Sequence, residues 1–348
     1  MPVSSPRRAV RTDMTVSTII TRLRPAAPAP QVPPCPAGQD SCKALAGLGR
    51  AAVFAIFMSE FHDTDASVNR LKSRSRRMIW RQVILRALGG AAAAAALSSL
   101  TVVGARAETL HATYSISLVG LTVGSADIDA KLTPSSYTID AQAKISGLAY
   151  LFSHARGASS GHGAIVDNRI APAAFATIAS NSAMTRTIRM SLSGNAVTGV
   201  DISPPFDEKP DRVPLTERDK QGVVDPIGAV IIPGPAKGPL IGPTSCDHKI
   251  PVFDGWTRFD VDLTYVGQRD VSAKGYEGPV AVCAVRYTPI AGHRRDRPGT
   301  KFMADNKEIE VWLAPVPSAR VLVPFRVSAL TTMGVTVIEA SEFHVGDQ

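Results

Sequence analysis

Three groups of residues in this 348-residue chain have types and spacing that could do chemistry. Gly157-Ala-Ser-Ser-Gly161 matches the G-x-S-x-G pattern, in which a tight strand-to-helix turn exposes a serine hydroxyl as nucleophile. Here the motif lies within a strand-like run and no strand-then-helix pattern follows. It reads instead as small residues where a strand bends or packs closely. His154 and His162 could open a metal site. They stand eight positions apart, with no H-E-x-x-H pattern and no nearby acid of matching parity, and so read as solvated strand histidines. The loop Ala291-Gly-His-Arg-Arg-Asp-Arg297 gathers His293, Arg294, Arg295 and Arg297, which could grip a phosphate or lipid head group. The rival reading of that charge run is a solvated hairpin loop. Phosphate-loop, dinucleotide and calcium-loop patterns do not occur in the sequence. No catalytic constellation emerges, and the expectation is a protein that is not an enzyme and uses no cofactor.

Charge divides the chain. Residues 1–107 hold 15 Lys+Arg against 5 Asp+Glu, whereas residues 108–348 hold 23 against 25. The basic balance therefore belongs to the N-terminal third, and nucleic-acid binding, which needs a basic face on the folded part, is not expected. Residues 1–77 mix Pro-rich patches with an Arg cluster at 70–77 and are expected to be disordered, upstream of a true start at Met78 or Met58. Residues 78–107 carry the parts of an export signal in order. Arg81 and Arg86 make the positive region, 87–103 an apolar run of small residues, and Ala105-Arg106-Ala107 the cleavage site ahead of Glu108. The alternative is an uncleaved anchor helix, the one way this reading brings the chain to a membrane. Export implies the periplasm, an oxidising compartment. The exported part keeps Cys246 and Cys283, and an even pair there favours a structural disulfide worth about 3–4 kcal/mol through loop entropy. Zinc would need about four ligands at short spacing, and a redox pair usually shows C-x-x-C.

The elements that must position these groups are strands. Across residues 111–145, Tyr114, Ile116 and Leu118, then Ala126, Ile128, Ala130 and Leu132, then Tyr137, Ile139, Ala141, Ala143 and Ile145 alternate with polar residues. A period of two means strands with one face buried. Turns are expected at Gly120-Leu-Thr-Val-Gly124 and Thr133-Pro-Ser-Ser136, with further hairpins at Gly194-Asn195 and Asp254-Gly255. Phe259, Val261, Leu263 and Tyr265 are expected to face inward, with Arg258, Asp260, Asp262 and Thr264 outward. Asp225-Pro226 looks like a helix cap with proline at the first helical position, leading into a short helix over 227–232. About a dozen strands and one helix leave a single sheet to curl round its own apolar face. The expected fold is mainly β, a curved antiparallel sheet forming a barrel or half-barrel with one short helix, as a single domain over 108–348.

Several segments are familiar in their order: Ser117-Leu-Val-Gly-Leu-Thr-Val-Gly124, Gly147-Leu-Ala-Tyr-Leu-Phe152, Val224-Asp-Pro-Ile227, Cys246 with Pro251-Val-Phe-Asp-Gly255, Cys283 with Tyr287-Thr-Pro-Ile-Ala-Gly-His293, and Val323-Pro-Phe-Arg326 with Met333-Gly334. They resemble the domain of unknown function 3108 family of exported bacterial proteins, over nearly all of residues 108–348. The resemblance implies a β-rich periplasmic protein, with an architecture like the half-barrels of periplasmic lipoprotein carriers, which hold acyl chains on a concave apolar face. That last step is fold-level analogy. An inward set rich in Ala, Gly and Val leads to the expected function, binding of a lipid or other amphiphile in an open groove. The alternative is a structural or adaptor protein of the envelope with a fully packed barrel. An outer-membrane barrel suits the strand lengths, but aromatics for interfacial girdles are scarce.

Overall fold

The computed structural model describes residues 107–151 and 153–347. The expectations for residues 1–77 and for the export signal, Ala105 included, lie outside the described residues; Ala107 alone of the cleavage motif is within them. Among the described residues there are fourteen strands, most of them the period-two segments. They are β1 (Glu108–Leu118), β2 (Leu121–Leu132), β3 (Ser136–Ile145), β4 (Arg156–Val166), β5 (Arg169–Ser180), β6 (Thr185–Ser193), β7 (Ala196–Ser203), β8 (Ile232–Pro233), β9 (His248–Phe253), β10 (Arg258–Ala273), β11 (Tyr276–Ala291), β12 (Ile309–Val316), β13 (Val321–Thr331) and β14 (Gly334–Asp347). An α-helix, α1 (Pro298–Asp305), lies between β11 and β12. Pairing is antiparallel in the order β7-β6-β5-β4-β3-β2-β1-β14-β13-β12-β11-β10-β9, with β8 on β13. The first and last strands, β1 and β14, thus stitch the two halves into one sheet.

The sheet curls without closing. No ladder joins β7 to β9 in this order, yet side chains bring the two ends together. A Cβ on Gly255, in the β9–β10 turn, would sit 2.6 Å from Ile188 Cγ2 on β6 and 3.7 Å from Val200 Cγ1 on β7. Beside this contact Phe206 stacks on Trp256 at 4.7 Å, Arg186 lies 3.9 Å over the Phe206 ring and Arg212 lies 4.0 Å over Trp256. Flat guanidinium and aromatic faces stack without needing strand register, so the seam is held by rings where a ladder is missing.

The expected alternation is met along β1 and β3, where Leu110, Ala112, Tyr114, Ile116, Leu118, Tyr137, Ile139, Ala141 and Ile145 are buried. Four expectations need correction. The β1–β2 turn is the two-residue Val119-Gly120, both at positive φ, and residues 121–124 already belong to β2. Two residues of positive φ match the right-handed strand twist better than a longer loop. Secondly, Asp225 does cap, accepting the Ile227 and Gly228 amides at 2.9 and 3.0 Å. The turn it starts is a single 3-10 turn, Gly228–Val230, because the β-branched residues that follow favour extended backbone. Among the described residues the one α-helix is α1 instead, starting at Pro298 where a missing N–H costs nothing. Thirdly, Asp260 is buried, paired with Arg258 at 2.6 Å and Lys249 at 3.0 Å. Lastly, the middle of the concave face is not an open groove. Val223, Val224, Ile227 and Ile231 fold back into it and join one core with Tyr137, Phe175, Phe253, Phe325 and Phe343.

Small residues in β4 make room for that returning segment. A Cβ on Gly161 would meet Ile227 Cγ2 at 3.0 Å, and one on Gly228 would meet both Asp225 Oδ2 and Tyr137 Oη at 2.9 Å. The G-x-S-x-G motif is therefore mid-strand packing. Ser159 Oγ bonds Thr177 Oγ1 at 2.8 Å.

Candidate functional site

Apolar exposure is concentrated at one end of the curled sheet. Among the described residues, ten large apolar side chains are exposed, and five of them, Val119, Leu121, Tyr150, Leu151 and Val335, share this end. Backbone contacts hold them as one rim. The Val119 amide donates to Val335 O at 2.8 Å and the Ser146 amide to Val123 O at 3.0 Å. A Cβ on Gly334 would lie 2.5 Å from Val119 Cγ2, and one on Gly147 3.1 Å from Thr122 O. Val119 keeps φ 50, a costly conformation for a β-branched residue, and its side chain is 65% exposed. Strain that presents a valine to solvent is unusual in a plain turn. Tyr150 and Leu151 come from the 3-10 turn Gly147–Leu151 between β3 and β4, and the Tyr150 ring meets the edge of His154 at 4.3 Å.

Beneath the rim lies a small cluster of its own, Ile116, Leu118, Val123, Ile145 and Ala155, with Ala126, Ala143 and Ile338 against it. The register then lines up Ala126, Ala143, Gly157 and Ala179 across β2 to β5. These four share the inward parity, yet Ala126, Ala143 and Gly157 stay partly exposed. The inner wall at this end thus carries a row of small, partly exposed side chains, whereas the returning segment covers its middle. The row ends on β6 at the buried Arg186, whose Nε donates to Pro204 O at 3.0 Å.

The residues expected to do chemistry lie apart from one another. Cys246 and Cys283, both fully buried, come to disulfide-bonding distance with Cα atoms 5.6 Å apart, inside a separate apolar cluster with Ile232, Leu263 and Leu313. In the basic loop, Arg294 binds Asp211 at 3.0 Å, the Val213 amide donates to His293 O at 2.9 Å and the Arg295 amide to Asp211 O at 3.0 Å. Burial pushes the His293 imidazole below its usual pKa. Arg294 and His293 thus tie the loop to residues 211–213, Arg297 stands at the N-cap position of α1, and Arg295 is the exposed cation of the group. His162 lines a shallow groove of about 520 Å³ on the outer face of β4–β7, beside Arg189, Asp201 and Ser191. Among the described residues no cluster of three or more His, Cys, Asp or Glu could hold a metal ion. The rim residues are those the sequence did not single out. Apolar residues at turn positions, Val119, Leu121 and Leu151, were the available signal.

Asp225, on the returning segment, is fully buried with its side chain beside the Tyr137 hydroxyl. Burial raises its pKa, against the pull of the Gly228 and Ile227 amides, and burial plus the Asp225 charge raises that of Tyr137. The ionised form is opposed in the folded state alone, so its cost is full above the raised pKa and vanishes below the ordinary carboxylate value. Asp225→Asn should therefore gain stability relative to the parent at pH 7 and lose that advantage as pH falls towards 4. Urea melts of both proteins at the two pH values read the difference directly, and an unchanged difference would contradict the burial account.

A curled, unclosed antiparallel sheet with a plugged centre and one apolar rim makes this a barrel-like β protein. Residues 113–341 match the family described as a protein of unknown function (DUF3108), and the chain belongs to that family. Among solved structures it is similar to a beta-barrel-like protein of the domain of unknown function DUF1849 from Brucella abortus, at 10% identity and TM-score 0.42, covering 70% of this chain and 98% of that one. No curated protein matches.

Proposed function

We propose that the protein is exported to the periplasm and binds a lipid or other amphiphile, taken in across the apolar rim onto the small-residue row of the inner wall. The exposed cluster of Val119, Leu121, Tyr150, Leu151 and Val335 carries this reading. Isolated exposed apolar residues are ordinary, but a contiguous group marks a contact with something apolar. An alkyl chain laid against Ala126, Ala143 and Gly157 would gain roughly 0.8 kcal/mol per buried methylene. Export is supported by the start of β1 at Glu108, the residue after the expected cleavage site. Glu108 is itself built into the fold, accepting the Ser318 and Ala319 amides at 2.8 and 3.2 Å.

A second reading, an envelope adaptor acting through its outer surface, is favoured by the packed centre of the concave face. Titration with a soluble fluorescent fatty acid separates the two. Micromolar uptake is expected, and Ala143→Leu, which fills the row, should weaken it at least tenfold. Absence of uptake, or uptake indifferent to Ala143→Leu, would favour the adaptor.

A further inference from the structure

The apolar rim has a charged flank that the amphiphile reading does not use. Lys144 on β3 and Arg156 on β4 face each other in register, each one position from the Ile145–Ala155 pair that floors the rim. Both are exposed on the outer face, and among the described residues neither has an acidic partner within ion-pair distance. Two like charges side by side on neighbouring strands repel one another. A stable fold gains nothing from that arrangement, but a surface carrying negative charge would relieve it. At the same end of the sheet, Leu121 and Leu151 are 69% and 73% exposed, and Tyr150 supplies the amphipathic ring that suits a lipid–water boundary. The cations are long and flexible, so their stems can lie along apolar material while the heads reach phosphate.

We propose that this end of the sheet docks onto an anionic lipid bilayer, with Leu121, Tyr150 and Leu151 dipping below the head groups and Lys144 and Arg156 pairing with lipid phosphates. The proposal rests on the amphiphile reading, since docking would place the rim where its ligand enters or leaves. The strained Val119 turn and the 3-10 turn then form two short apolar tips on either side of the entrance. Neither is long enough to span a membrane, so the contact would be interfacial and reversible.

The test is co-sedimentation of protein recovered from cells expressing the full chain with vesicles of phosphatidylglycerol or of phosphatidylcholine. Binding should be at least tenfold tighter to the anionic vesicles and should weaken as salt shortens the screening length. Replacing Lys144→Gln together with Arg156→Gln should lower it about twenty-five-fold, at about fivefold per cation, with unfolding temperature and uptake of the soluble fatty-acid probe unchanged. Leu121→Ser with Leu151→Ser should lower it by about another order of magnitude, from lost apolar burial. Equal binding to both vesicle types, no binding to either, or indifference to the paired cation change would overturn the proposal. Vesicle binding without probe uptake would support docking and overturn the amphiphile site.

Discussion

Gly163→Ala is expected to destabilise the fold by about 3 kcal/mol, the upper range for an overpacked core position. The added Cβ would sit 2.5 Å from Ala171 O, 2.8 Å from Pro172 Cα and 2.9 Å from Tyr137 Cε1. Two of these are backbone atoms of β5, so relief requires strands to part. The register of β4 on β5 already shifts between His162 and Gly163, where Pro172 offers no N–H to the ladder. The same change elsewhere should cost less in a defined order. At Gly161 the neighbour is the Ile227 side chain, which can move, and the cost should be about 1 kcal/mol. At Gly199 nothing lies within 4 Å, and alanine should be neutral or slightly stabilising. Denaturant melts of the three variants read the series. Equal effects at all three positions would mean that β4 does not press against β5 and the returning segment.

Removing the cross-link between Cys246 and Cys283 should cost about 4 kcal/mol. The half-cystines are 37 positions apart, and loop closure of that length in the unfolded chain gives a value of this size. The double variant Cys246→Ala with Cys283→Ala avoids burying hydroxyls beside Leu263 and Leu313, so its loss reports the cross-link with little added packing cost. The link runs from the segment before β9 to the middle of β11, with β10 between them. It holds the end of the strand order that has no ladder to β7. Loss should appear as a lower denaturant midpoint for the double variant, and a matching fall for the parent under strong reductant. A parent midpoint unmoved by reductant would argue against a bond between them.

The sheet was legible because its signal is local. Alternation over Tyr114–Leu118 or Tyr137–Ile145 shows which face is buried without knowing the partner strand, and Asp254-Gly255 marks a turn by its own conformational preferences. Asp254 carries this through, accepting the Trp256 and Thr257 amides at 2.8 and 2.6 Å. The Asp225 cap was equally visible, but the cap says where a turn starts and not how far it runs. α1 was not legible because it has no buried residue, hence no stripe to read. The filling of the concave face by Val223–Ile231 is a long-range event, foreshadowed only by glycines on β4 that gain meaning once Ile227 is seen against them. The rim escaped for the opposite reason. Val119, Leu121 and Leu151 look like core residues in one dimension, and only their exposure in three distinguishes them.

The central claim is that the small-residue row beneath that rim holds an amphiphile. Native mass spectrometry of the protein recovered from its own cells tests it most directly. The account predicts a fraction carrying a lipid-sized adduct, released on gentle activation and lost in Ala143→Leu. A spectrum of bare protein for the parent, or an adduct that survives Ala143→Leu undiminished, would contradict it.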